Sequence, residues 1–299
     1  MIDMAQSSTQ PEDPMSDTSE LVIANVHNQS RLVTCKVVTP LKIFNPDDCR
    51  ETCHVVLSNY GGGFVQGDRV NIRFECGERA RLFLGSQANT RIYKCEDKKD
   101  CSQHIQGILH DHAVAIVFPD PLVLHAASRF QQFQHWKLTR QSTLILSDVL
   151  FPGRLGIGEK FDFDSFLSRL HITLDSQLVI KDDFAFNPER DHPEHIGSFG
   201  RYAIFMNVYF VGPEMEACIQ PLEVDMVNFG FPLPGQAPHL LSNRPASPGL
   251  FTINAVNGVG FILRALLNEP AQAIQLRDRI CTLLRSFGIE ENIPMRYRP

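Results

Sequence analysis

Long apolar runs are missing from this chain. The longest, AVAIVF at 113–118, has the length of a strand and falls far short of the roughly 20 residues that a membrane-spanning helix needs, so no helical span is expected. A basic excess is missing too. The formal net charge is −6, and five acids (Asp3, Glu12, Asp13, Asp17, Glu20) with no basic residue fall in the first twenty positions, leaving the rest close to neutral. Nucleic-acid binders show a basic patch or stripe, so nucleic acid is set aside as a partner. No Gly-Lys dipeptide occurs, which removes the phosphate-binding lysine of a P-loop. GxSxG and HExxH are absent, and with them the nucleophile elbow and the two-histidine zinc helix. Cysteine is sparse: Cys35, Cys49, Cys53, Cys76, Cys95, Cys101, Cys218 and Cys281 form no dense framework in 299 residues. The first twenty residues lack the basic start and apolar stretch of an export signal. Free thiols and a cytoplasmic location are therefore expected.

What is present is a soluble, globular composition, 43% hydrophobic and 21% charged. MIDMAQSSTQPEDPMSDTSE, residues 1–20, is rich in Ser, Pro, Gln and acids and reads as a disordered acidic tail. From residue 21 short β-type runs follow one another: LVIANVH, RLVTCKVV, HVVLSN, RVNIRFEC, ARLFLG, RIYKC, AVAIVF, TLILSDVLF, LHITLD and QLVIKDDF. Within 70–76 the alternation is strict, with Val70, Ile72, Phe74 and Cys76 on one face. Strands every 8 to 12 or so residues with little helical periodicity before 186 predict a sandwich, a barrel or a β-solenoid. No internal sequence repeat is visible, so a solenoid would be irregular. NPERDHPEHIGSFG (187–200) reads as a loop and a hinge candidate within a domain spanning 21–299. The strand-like YAIFMNVYFV, a helix around 213–228, a Pro-rich loop at 232–248 and the strand-like LFTINAV and GFILRALL follow. EPAQAIQLRDRICTLLRSFG spaces Ala273, Leu276, Ile280, Leu283, Leu284 and Phe287 as a helix, with Pro270 near its start and Gly288 at its stop.

Two glycine-rich stretches invite a functional reading. YGGGFVQGD (60–68) places an acid, Asp68, where a phosphate site needs a cation, so its glycines Gly61, Gly62, Gly63 and Gly67 are read as turn formers launching the next strand. A direct role for Asp68 is the alternative. DVLFPGRLGIGEKF (148–161) sets Asp148, Arg154 and Glu159 among glycines, either as an ion pair or as a functional carboxylate. His110, Asp111 and His112, the group Asp191, His192, Glu194 and His195, and the pair Cys49 and Cys53 contain metal-ligand types without the paired knuckles of structural zinc. They are read as solvated loops and, for the cysteines, apolar burial.

The order of the motifs carries further. PLKIFNP (40–46), YGGGFVQGD, SQANTRIYK (86–94), FPDPLVLHAASRFQQ (118–132) and DVLFPGRLGIGEKF together resemble the urease accessory protein UreD (UreH) family. That resemblance runs over roughly 30–290, with Ser86, Asn89 and Arg91 in place of the usual Thr, Ala and Lys. It implies a mainly β, irregular β-helix-like or β-solenoid body of many short strands with a small helical part that includes a C-terminal helix. It also implies a non-enzymatic chaperone for nickel insertion into apo-urease, working with UreF-like and UreG-like proteins. No tightly bound cofactor is expected, only transient Ni²⁺. Because thiolates and multi-histidine cages would trap nickel, carboxylates suit a passage better. The expected route is Asp68, Asp120 and Glu159, shaped by Gln87 and Tyr93, with Arg154 beside Glu159. The alternatives are carboxylates that only fasten turns, an interaction scaffold that handles no metal, and a divergent relative not serving urease.

Overall fold

The computed structural model describes residues 17–46, 51–213, 215–231, 249–256 and 258–286, and strands dominate them. The chain opens with β1 (Thr18–Val26), β2 (Gln29–Lys36) and β3 (Leu41–Phe44), and then winds in coils. The first coil is β4 (Cys53–Asn59), β5 (Gly63–Phe64) and β6 (Arg69–Cys76); the second is β7 (Arg81–Ser86), β8 (Thr90–Ile92) and β9 (Cys101–Leu109). The third is β10 (Val114–Phe118), β11 (Leu122–Leu124) and β12 (Arg129–Leu138). A fourth leaves on β13 (Thr143–Phe151), turns through a 3-10 segment at Leu155–Ile157 and returns as β14 (Ser165–Leu174). β15 (Gln177–Phe186), α1 (Pro188–Asp191), β16 (Ile204–Val211), α2 (Ile219–Asn228), β17 (Gly249–Val256), β18 (Gly260–Leu267) and α3 (Pro270–Ser286) complete the order.

Successive coils stack in parallel. The last strand of each joins one sheet, in the order β15-β14-β12-β9-β6-β1-β2, and the first joins another, whose path runs β17-β18-β16-β13-β10-β7-β4-β3. The short strands β5, β8 and β11 stack on one another as a narrow third side. This is a β-solenoid arrangement, closed at its edges by antiparallel strands, and it decides among the three β architectures that the strand spacing allows.

Alternation dictates the packing. In β6 Val70, Ile72, Phe74 and Cys76 are buried and their neighbours are not, so the expected half-buried strand is present. The inner faces of the two sheets enclose a core in which Trp136 lies fully buried, stacked on Phe74. Gly107 makes room for it: a Cβ there would overlap the indole ring. A second core lies on the other face of the larger sheet, where Phe83, Ile116, Phe118 and Ile145 meet Leu222 and Met226 of α2 and Leu276, Ile280 and Leu284 of α3. The molecule thus has three layers, sheet on sheet on helices. Ala273, Leu276, Ile280 and Leu284 are buried at the expected helical spacing, although Gly288 lies outside the described residues. So does the Pro-rich loop 232–248.

One boundary needs correcting. The acidic tail was expected to run through residue 20, but Thr18–Glu20 belong to β1, paired in parallel with Asn71–Arg73. Ser19 is small enough to point into the core, and its Oγ accepts a hydrogen bond from the Val38 amide at 2.9 Å. Residues 1–16 lie outside the described residues. The segment 187–200, read as a loop with hinge potential, is the crossing from the smaller to the larger sheet; it contains α1, capped by the Asn187 side chain, and its Phe199 is buried against Phe161 and Phe186.

Candidate functional site

Four of the singled-out stretches fall at equivalent places. YGGGF, SQAN, FPDP and FPGRLGIGE each follow a strand of the larger sheet and turn the chain toward the narrow side, so the winding stacks them as successive corners. Close stacking explains the chemistry at the first corner: a Cβ on Gly63 would overlap the Arg91 carbonyl of the next coil. Gly61 and Gly62 have φ of 73° and 74°, which L side chains rarely adopt. Tyr93 stitches the two corners by donating from its hydroxyl to the Gly61 carbonyl at 2.9 Å. Gln87 does the same from the exposed side, accepting from Ser58 Oγ at 2.8 Å.

Behind these corners, between the sheets, lies a cavity of about 90 Å³. Its wall is mostly apolar, from Leu41, Leu84, Ile105, Val117 and Leu146 among others, with polar groups set into it. Asn59, Ser86, Asn89 and Asp120 come from the corners, Gln103, Gln132 and Gln134 from the inner face of the smaller sheet, and Ser147 and Asp148 from β13. Gln132, Gln134, Ser86, Ser147 and Asp120 are buried. Buried polar groups need partners, and the glutamines have them: Gln132 Nε2 donates to Asp148 Oδ2 at 2.9 Å, and Trp136 Nε1 donates to Gln134 Oε1 at 3.2 Å, whereas Ser147 Oγ and Asn59 Oδ1 have none among the described residues.

Asp148 is half-buried by surface area because the surface it exposes is cavity wall. Burial pushes its carboxyl up to about 6, against hydrogen bonds from Gln132 and Ser168 that favour the anion and with help from the Asp182 charge. Asp182 continues the polar interior. Its Oδ2 accepts from Tyr209 Oη at 2.6 Å and from Arg264 Nη2 at 2.7 Å, and Arg264 also donates to Asn207 Oδ1 at 3.3 Å.

Of the three carboxylates expected to form one route, only Asp120 borders this cavity. Its Oδ2 accepts from Ser86 Oγ at 3.1 Å, and Ser86 Oγ accepts from the Asp120 amide at 2.7 Å, which locks the second corner to the third. Its Oδ1 meets Arg277 of α3 at 3.2 Å in a buried ion pair. Asp68 instead closes the turn before β6, its Oδ2 accepting from the Val65 amide at 2.9 Å. Glu159 pairs with Arg154 and also accepts from the Ala126 amide at 3.2 Å; the Arg154 hydrogen bonds hold its carboxyl below the usual range. The structure therefore does not gather Asp68, Asp120 and Glu159 into one passage. Asp148, read from the sequence with Arg154 and Glu159 as part of an ion pair or as a functional carboxylate, is the second carboxylate on the cavity wall.

The other metal-ligand types stay apart. His110 to His112 make a tight turn closed by the Ala113 amide on the His110 carbonyl, and Asp191 serves Arg190 and the Asn187 amide. Among the described residues no three of His, Cys, Asp and Glu come together as a metal-binding group. Cys53 is buried as expected, while Cys49 lies outside the described residues.

Fold and cavity define a class: an irregular β-solenoid with a helical flank and an interior cavity that carries polar side chains, in which no helix of the described residues is long and apolar enough to cross a membrane. The chain belongs to the UreD urease accessory protein family, whose model matches residues 16–298. It is 35% identical over 208 residues to the urease accessory protein UreD of Cytophaga hutchinsonii, covering 70% of this chain and 73% of that one. The UreD of an Anaeromyxobacter species is 27% identical over 200 residues, with 67% of each chain covered. Urease accessory protein D of Arabidopsis thaliana is 28% identical over 162 residues, 53% of this chain and 55% of the relative.

Proposed function

We propose that this protein matures urease as a non-enzymatic chaperone in the cytoplasm, standing between apo-urease and UreF-like and UreG-like partners, and that Ni²⁺ crosses it transiently through the inter-sheet cavity. The observation that carries the reading is the cavity wall itself. Two carboxylates, Asp120 and Asp148, and the amides of Gln103, Gln132 and Gln134 line the interior of a body otherwise filled with Leu, Ile, Val and Phe. Oxygen ligands bind nickel less tightly than imidazole or thiolate, so carboxylates and amides set into such a wall can pass the ion on. Asp68 and Glu159 serve this route only indirectly, by fixing corners that bound it.

Asp148 is the informative position. Asp148→Asn keeps the volume and a partner for Gln132 but removes the charge, so nickel-dependent urease activation in cells falls several-fold while the protein still folds. Leu146→Phe, on the same inner face of β13 as Asp148, narrows the cavity and gives the same loss. Unimpaired activation by both folded variants overturns the nickel route. One observation favours a second reading, a scaffold that handles no metal: Asp120 already spends its charge on Arg277. Under that reading both variants activate urease normally and still co-purify with the partners.

A further inference from the structure

Sheets of parallel strands are usually covered on both faces. Here the larger sheet carries α2 and α3 on its outer side, whereas among the described residues nothing covers the outer face of the smaller sheet, whose strands β1, β6, β9, β12 and β14 are all parallel. That face is not a plain solvated surface. One cross-strand row brings His104, Phe133, Arg169 and Asp183 side by side from β9, β12, β14 and β15. The His104 ring stacks on Phe133 at 4.6 Å between centroids, and the Arg169 guanidinium lies 5.9 Å from the same ring. The next row toward the strand ends is Gln106, His135 and His171, and the one after it includes Lys137.

The charges of this face do not balance internally. Its carboxylates are engaged: Glu75 with Arg73 at 3.1 Å and His110 at 3.0 Å, Asp183 with Lys181 at 3.6 Å and His171 at 3.7 Å, and Glu20 with Arg73 at 3.7 Å. Arg69, Lys137 and Arg169 point outward in no ion pair among the described residues, although Arg169 stands opposite Asp183 across β14 and β15. A chain of net charge −6 thus presents one broad face with surplus cations around a pre-stacked aromatic and guanidinium pair, the kind of anchor that dominates protein interfaces.

We propose that the outer face of the smaller sheet is a docking surface for an acidic, extended protein segment of a partner, with Arg169 on Phe133 as its anchor and Lys137 and Arg69 as flanking cations. An extended segment sets alternate side chains about 6.8 Å apart, which matches the spacing of successive outward rows along these strands. A segment along β12 therefore sets one carboxylate beside Arg169 and another two rows on beside Lys137, while Arg69 lies farther off on β6. A second copy fits poorly, because face-to-face pairing would set like charge on like charge. Nucleic acid fits less well than a peptide, because a phosphate backbone carries a charge at every step, whereas a peptide can set neutral side chains opposite Glu20, Glu75 and Asp183.

The test titrates the full chain into a labelled peptide alternating Glu and Ser, an oligothymidylate of similar length, and vesicles of phosphatidylserine and phosphatidylcholine, all at low salt. The expected result is binding of the peptide alone, weakened about tenfold or more by the double substitution Arg169→Glu and Lys137→Glu. The exposed control Lys94→Glu leaves binding unchanged, and the melting temperatures of both variants stay at the wild-type value. No peptide binding, equal binding by the double variant, or capture of the oligonucleotide or vesicles in place of the peptide overturns the proposal. If the double variant melts early, Arg169→Lys decides: it keeps the charge but loses the flat stacked guanidinium, and unchanged affinity overturns Arg169 as the anchor.

Discussion

At the scale of single residues, the interior carboxylate Asp148 makes the sharpest claim. Its folded-state pKa of about 6 lies above the ordinary 3.8, so the folded protein holds a proton there that the unfolded chain has released between those values. Stability therefore falls as pH rises from about 4 to 6 and stays reduced above. Asp148→Asn removes that penalty and stabilises the protein at pH 7 by about 1–3 kcal/mol, while abolishing the slope between pH 4 and 6; chemical denaturation at several pH values measures both. A variant that is no more stable at pH 7 contradicts the assignment. Asp120 behaves in the opposite sense. Its amide variant removes the carboxylate charge from the buried ion pair with Arg277, at a cost of about 3–5 kcal/mol. Loss of urease activation in Asp120→Asn would therefore report on folding before it reported on nickel, which is why the functional test rests on Asp148.

At the scale of elements, the corners govern. YGGGFVQGD reads correctly from sequence as a turn, since Gly61, Gly62 and Gly67 all have positive φ and Asp68 closes the bend before β6. Gly63 is different. Its φ of 173° suits any residue, and it is glycine because the next coil's backbone lies against it. Gly63→Ala must push the Arg91 carbonyl away, so it costs about 2–4 kcal/mol, whereas Gly156→Ala, with open space around it, costs under about 1 kcal/mol. Thermal melts of the two variants separate the effects, and equal losses would contradict the stacking argument. The alternation of β6 and the helical spacing of α3 were legible because each records one face meeting one core. The stacking of four corners was not, because the coils share no sequence repeat and their register is set by hydrogen bonds between strands far apart in the chain.

At the scale of the whole molecule, the sole tryptophan reports on the union of the coils. Trp136 is fully buried between the sheets on Phe74, two coils away, with its indole N–H held by Gln134. Its native fluorescence is expected to be blue-shifted and shielded from iodide, and to shift red in the same transition as the loss of far-ultraviolet β signal. A native emission near that of free tryptophan would contradict the packing. What the sequence by itself determined is the strand-rich class, the terminal helix, the turn character of the glycine stretches and, through the order of five motifs, the resemblance to the UreD family. These follow from local periodicity, backbone freedom and motif order, all of which are written along the chain. Only the tertiary structure decided that Asp120 and Asp148 share a cavity while Asp68 and Glu159 do not, and that cations gather on an uncovered sheet face. Side chains of different coils become neighbours through the winding of the solenoid, and the distance between them in sequence carries no trace of it.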